Sequence, residues 1–206
     1  MKKLALFIFT LSLFAACQNT TKPVENTSAA ATKVIKQLTT EDFAKLDLLD
    51  KTDNCDALQS ADSTVFKYAN VMVTRIPNKD MPGQIVRVLK DGKTTTFSEE
   101  VVYFKGIIGD CLILDLGTST IRDVMVYDLK TMKMVVKNEY VEALKIENKM
   151  IVLKAEVKIT DASKKPKCPK ADKATGLRQG FVEEKHIDLA TFQVINTGKY
   201  ECSLFE

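Results

Sequence analysis

Two stretches decide how this chain is built: "MVYDLKTMKMVVKN", Met125 to Asn138, and "KHIDLATFQVINTG", Lys185 to Gly198. Each runs an alternating segment into Asp-Leu-x-Thr and then into a second alternating segment. Alternation at period two is the pattern of a strand with one buried face. The carboxylates of Asp128 and Asp188 can each accept a backbone N–H two residues on, and the threonine hydroxyl can close the other side of the turn. Both stretches therefore predict antiparallel hairpins.

The same period extends outward from them. Strands are expected at Val65–Ile76, Gln84–Lys90, Lys93–Phe97, Val101–Ile107, Asp110–Leu116, Asp123–Leu129, Lys133–Asn138, Ala143–Glu147, Met150–Ile159, Phe181–Leu189 and Phe192–Thr197. "KDGK" places Asp91 and Gly92 where a type I′ turn needs two positive φ angles. "IENKM" and "IPNKDMPG" are further turn signals. Before the strands, "TTEDFAKLDLLD" begins with a candidate cap at Thr39 or Thr40 and carries Glu41 and Asp42 in the first turn. It spaces Phe43, Leu46 and Leu49 along one side, so a short amphipathic helix is expected from Thr39 to Asp50. The fold class is mostly β, with antiparallel sheets of blade-like or sandwich type and one short N-terminal helix.

The two hairpins lie 60 residues apart, and the second copy carries an extra polar loop of about 20 residues, "TDASKKPKCPKADKATGLRQ". The underlying period near 40, with four strands per unit, resembles β-propeller blades. That resemblance implies units near 101–140 and 141–202 inside a single β domain spanning 36–206. A closed propeller takes at least four blades, more than this chain has room for. A sandwich sharing the hairpin is the alternative.

The N-terminus sets the address. Leu4 to Ala16 is an uncharged run of thirteen residues behind Lys2 and Lys3, too short to cross a hydrocarbon core of about 30 Å. Basic start, apolar middle and small-residue end match a secretory signal peptide over residues 1–16. "LFAAC" resembles the lipobox of bacterial lipoproteins, with Phe14 where a leucine is usual. The resemblance implies lipid attachment at Cys17 and a membrane anchor. With Gln18 after the cysteine, it also implies the outer membrane of a bacterial cell envelope. Residues 17–35, rich in Asn, Thr, Ser and Ala, are then a flexible tether.

Removing residues 1–16 takes away Lys2 and Lys3 and no acid, leaving 28 basic against 27 acidic residues. A chain so near neutrality gives no electrostatic footprint for nucleic acid. Four cysteines remain: Cys55, Cys111, Cys168 and Cys202. In an oxidising compartment they are disulfide candidates. Cys168 with Cys202 is favoured, since a loop and a late strand can meet in one sheet, and Cys55 with Cys111 follows by elimination. Alternatively Cys111, inside "CLILDL", is a buried free thiol. One histidine and no C-x-x-C argue against zinc, and no cofactor is implied.

His186 alternates with Glu184 and Asp188 along "FVEEKHIDL", so His186 and Asp188 would sit side by side as the base and orienter of a hydrolase do. No strained nucleophile turn accompanies them. Glu99–Glu100 and Glu183–Glu184 resemble paired carboxylates, yet strand neighbours point to opposite faces. Asp47, Asp50, Asp53, Asp56 and Asp62 lack the spacing of a calcium loop. The loop "KKPKCPKADK" concentrates Lys164, Lys165, Lys167, Lys170 and Lys173 and suits an anionic surface or an acidic partner. The sequence thus favours a membrane-held binding or assembly module, with an envelope protein or an anionic surface as partner. An envelope hydrolase using His186 and Asp188 and a carrier with an apolar cavity stand as alternatives.

Overall fold

The computed structural model describes residues 36–169 and 176–205. Among these residues thirteen strands form two sheets. The first is a six-stranded antiparallel meander, in spatial order β1 (Lys36–Gln37), β2 (Asp56–Gln59), β3 (Thr64–Lys67), β4 (Val71–Pro77), β5 (Gln84–Lys90) and β6 (Lys93–Phe97). The second is a seven-stranded antiparallel meander. It runs through β7 (Val102–Ile108), β8 (Cys111–Leu116), β9 (Ile121–Asp128), β10 (Lys133–Glu147), β11 (Met150–Val157), β12 (Arg178–Asp188) and β13 (Val194–Phe205). In both, strands adjacent in sequence are adjacent in space and antiparallel, most of them joined by short turns, with longer connections between β1 and β2 and between β11 and β12.

The turns form as their residues dictate. Asp91 and Gly92 both have positive φ, 49° and 74°, so β5 and β6 are joined by the I′ turn that "KDGK" predicts. Asn148 and Lys149, at 48° and 61°, make the same kind of link between β10 and β11. In the repeated hairpins, Asp128 accepts the Lys130 N–H at 2.9 Å and the Thr131 hydroxyl at 2.9 Å. Asp188 accepts the N–H groups of Ala190 and Thr191 at 2.7 and 3.2 Å. Each loop closes with an N–H four residues on, Met132 to Asp128 O and Phe192 to Asp188 O, both at 2.7 Å. Met132 and Phe192 then take positive φ, 54° and 59°.

Strand alternation separates two cores. Leu112, Leu114 and Leu116 of β8 point toward the six-stranded sheet and pack with Phe66, Val73, Val86, Val88 and Phe104. This layer makes the fold a sandwich. Cys111 and Ile113 of the same strand point to the other face, where they pack with Val126, Tyr140, Ile151, Leu153 and Ile187. The Cys111 thiol donates to the carbonyl of Leu189, just past β12, at 3.4 Å. Strands four places apart in the sheet meet there, so the larger sheet curls over its own second core.

Several expectations change. The sheet β7–β13 is continuous, and the blade boundary expected between Tyr140 and Val141 falls inside β10. The gap expected between Asn138 and Ala143 is a bulge in that strand, with Glu142 at φ 66°. The span Val65–Ile76 is two strands, turned at Ala69 and Asn70 and closed by the Tyr68 N–H on Val71 O at 2.9 Å. The helix is one turn, α1 (Thr40–Phe43), held by a capping box in which Thr39 and Asp42 satisfy each other's backbone N–H groups. Asp47 takes φ 53° and ends any continuation. Phe43 and Leu46 then reach the core between the sheets and Leu49 the second core, so their spacing of three serves a strap with two faces.

That strap, residues 44–55, closes the outer edge of β7. The Leu49 N–H reaches Lys105 O at 2.9 Å and the Asp53 N–H reaches Ile107 O at 2.7 Å. Gly106 makes the approach feasible. At φ 137°, a Cβ there would lie 2.0 Å from Thr52 Cγ2.

Candidate binding cleft

The outer edge of β6 pairs with no strand among the described residues. A cleft of about 460 Å³ runs along this side, between β6 and the face of β9 and β10. Its floor follows from register. Tyr127 pairs with Met134 and Met125 with Lys137, so all four side chains share one face of the larger sheet. Phe97, closing β6, meets the Tyr127 ring edge-on at 4.9 Å between centroids. Burial pushes the Tyr127 phenol pKa up, and the charge of nearby Glu100 adds to the rise. One strand further out nothing described covers β10, and Met134 is left 48% exposed.

Glu99 and Glu100 lie in the connection between β6 and β7, not in a strand. Both are exposed, and both line this cleft and an adjoining one of about 490 Å³ that continues past Leu116 to Arg122, Asp123 and Glu139. Strand alternation therefore does not separate this pair, contrary to expectation. Glu183 and Glu184 are in a strand and do diverge: Glu183 is buried and accepts the Gly198 N–H at 3.0 Å.

A second polar group sits inside the larger sheet. Asp115, 1% exposed, receives Arg122 Nη1 at 2.8 Å and the Tyr140 hydroxyl at 2.7 Å, with Lys105 Nζ at 3.8 Å. Arg122 stacks 5.0 Å above the Tyr140 ring and donates to Glu142 O at 3.0 Å. Lys105 bridges outward to Asp47 Oδ2 on the strap at 2.7 Å. Burial raises the pKa of the Asp115 carboxyl, opposed by its hydrogen bond from Tyr140 and by the two cations. Every charge here has a partner within the fold, which is the arrangement a buried ion cluster needs.

The predicted site residues are dispersed. Cys168 and Cys202 form a disulfide, Cα to Cα 5.6 Å, tying the β11–β12 connection to β13. Cys55 and Cys111 are free thiols. The pairing by elimination fails because Cys111 points into the second core while Cys55 packs against the first, across the thickness of the sheet. Burial pushes the Cys111 thiol up to about 11.

Lys164, Lys165 and Lys167 are exposed around a 3-10 turn at Ala162–Lys164. Lys170, Lys173 and the lipid-attachment candidate Cys17 lie outside the described residues. His186 does not meet Asp188. Its Nε2 lies 3.1 Å from Glu184 Oε1, which also takes Lys199 Nζ at 2.8 Å, while the Asp188 carboxylate is engaged by its own turn. Asp53, one of the acidic run, accepts the Gly109 N–H at 2.8 Å. Among the described residues no cluster of His, Cys, Asp or Glu is placed to hold a metal ion.

Sequence reasoning passed over Asp115, Arg122, Tyr140 and Lys105. The available signal was the lone carboxylate inside "CLILDL", since a charge on a buried strand needs a partner. Met134 was read only as part of a hairpin, because its exposure depends on which strands the other sheet contributes. No family model, curated protein or solved structure matches the chain.

Proposed function

We propose that the protein is a lipid-anchored module of the bacterial cell envelope, held through Cys17, with the outer membrane as its site, and that it works by binding rather than by catalysis. The address rests on the lipobox-like "LFAAC". It is supported by the Cys168–Cys202 disulfide, a bond that persists in oxidising compartments. The binding reading is carried by one observation, the cleft beside β6, where apolar floor, exposed Met134 and two carboxylates converge. Its volume lies within the roughly 300–1,000 Å³ of ordinary binding sites. The hydrolase alternative loses its motive, because His186 and Asp188 are committed to different partners.

Labelled palmitate should enter the wild-type chain in cells and not the Cys17→Ala variant; label retained in the variant refutes the anchor. A photo-crosslinking residue in place of Met134 should give a discrete adduct in intact cells. The same residue in place of Lys145, exposed further along β10, should not. Adducts at both positions or at neither would refute the cleft as the binding surface.

A further inference from the structure

The edge of β6 has a defined hydrogen-bonding face. A two-residue I′ turn makes the pair that flanks it, Lys90 and Lys93, a hydrogen-bonded pair. Antiparallel alternation then makes Val88–Thr95 and Val86–Phe97 the next bonded pairs, while Thr94 and Thr96 fall between them. The N–H and C=O groups of Thr94 and Thr96 therefore point away from β5, and both residues are exposed. Exposed edges of this kind are usually short, twisted away, charged or covered. Here the outward residues are neutral threonines, and the register with β5 is unbroken as far as Phe97, which is packed against the core.

Among the described residues no strand of the smaller sheet continues past β6 on the same side. β6 lies over β9 through the Phe97–Tyr127 contact, and the next strand position of the smaller sheet lies over β10. Met134 and Lys137 occupy that uncovered face. Charge selects the kind of strand that fits. Asp123 is neutralised by Lys137 at 3.3 Å and Arg122 by Asp115, whereas Glu99 and Glu100 form no ion pair among the described residues. Glu99 and Glu100, two uncompensated carboxylates at the end of a cleft whose cations are already engaged, favour a cationic occupant.

We propose that the β6 edge accepts an extended segment of a partner protein in which apolar side chains alternate with lysine or arginine. The segment adds as a seventh strand to the smaller sheet. Its backbone pairs with Thr94 and Thr96, its apolar side chains cover Met134 and Tyr127, and its cations, on the opposite face, meet Glu99 and Glu100 in the connection at the end of β6. The inference deepens the binding reading above and depends on it.

The probe is a dye-labelled octapeptide of alternating lysine and valine, titrated against the purified full chain by fluorescence anisotropy. Saturable binding is expected, at least tenfold weaker in Thr96→Pro, which removes one outward N–H without a bond to β5. It should be at least tenfold weaker also in Glu99→Lys/Glu100→Lys, which leaves the backbone edge intact and serves if the proline variant does not fold. The octapeptide with glutamate replacing lysine should not bind. Absence of saturable binding, equal binding of the glutamate peptide, or wild-type affinity in both variants overturns the proposal. So does a dimer of the protein that Thr96→Pro dissociates, which would place a second copy on the edge. Crosslinks at position 134 in cells without peptide binding would leave the binding reading standing and remove only the cationic strand.

Discussion

β7 and β6 are both outermost strands, one from each sheet, and the chain treats them differently. Along β7 it lays a strap that donates to Lys105 O and Ile107 O, anchors Asp47 on Lys105, and passes so close that only a glycine fits at 106. Arg75 of β4 secures the strap from the other sheet by donating to Leu46 O at 2.9 Å. Along β6 the outward groups of Thr94 and Thr96 meet no described strand. Among the described residues the fold thus covers one edge with several dedicated residues and leaves another unpaired beside a cleft. An edge left unpaired by the described residues is the kind of surface that accepts a further strand.

The largest effect is expected from opening the closed edge. Gly106→Val sets a Cβ against Thr52 at a φ that branched residues avoid, and should cost about 3 kcal/mol or more in urea unfolding. Adding Thr52→Gly should recover the steric part and leave the backbone part. Next comes Lys105→Met, which frees Asp47 and takes one of two cations from buried Asp115, at a cost of about 2 kcal/mol near neutral pH.

That second loss should depend on pH in a definite direction. A carboxyl whose folded pKa is raised binds its proton more tightly when folded, so its favourable contribution is present below the unfolded value of 3.8 and is lost as pH rises through the folded value. Removing Lys105 raises the folded value further, so the deficit of Lys105→Met should shrink as pH falls toward the carboxylate range. A deficit that stays constant or grows on acidification would mean that Lys105 stabilises the fold through packing rather than through its charge.

A change that touches neither edge calibrates both. Asp128→Ala removes the carboxylate that holds the β9–β10 turn and should cost about 1 kcal/mol, without altering either the strap or the cleft. The smallest effect on stability belongs to Thr96→Pro, within about 0.5 kcal/mol, because no bond to β5 is lost. A loss as large as that of Gly106→Val would show that the β6 edge is already satisfied within the chain.

What was legible in the sequence was local. "DLKT", "DLAT" and "KDGK" fixed their turns because the groups that satisfy each turn lie within four residues. Alternation marked most strands for the same reason. The strap was not legible: Phe43, Leu46 and Leu49 have helical spacing, and only the presence of two cores on either side of β7 explains why they separate. β10 was read as two strands because a bulge at Glu142 interrupts alternation much as a turn does. The cleft depends on the smaller sheet ending at β6 among the described residues, a count that no local pattern carries. Cys55 and Cys111 looked like partners by elimination alone, and the thickness of a sheet separates them.

The β6 edge, unpaired among the described residues, is a place that a further strand can fill. Amide hydrogen exchange on the full chain, resolved by residue, tests it directly. The N–H groups of Thr94 and Thr96 should exchange fast in the free protein while those of Leu49 and Asp53 on the strap are protected, and the alternating lysine–valine octapeptide should slow Thr94 and Thr96 alone. Protection of Thr94 and Thr96 in the free chain, or no change on adding the peptide, would contradict it.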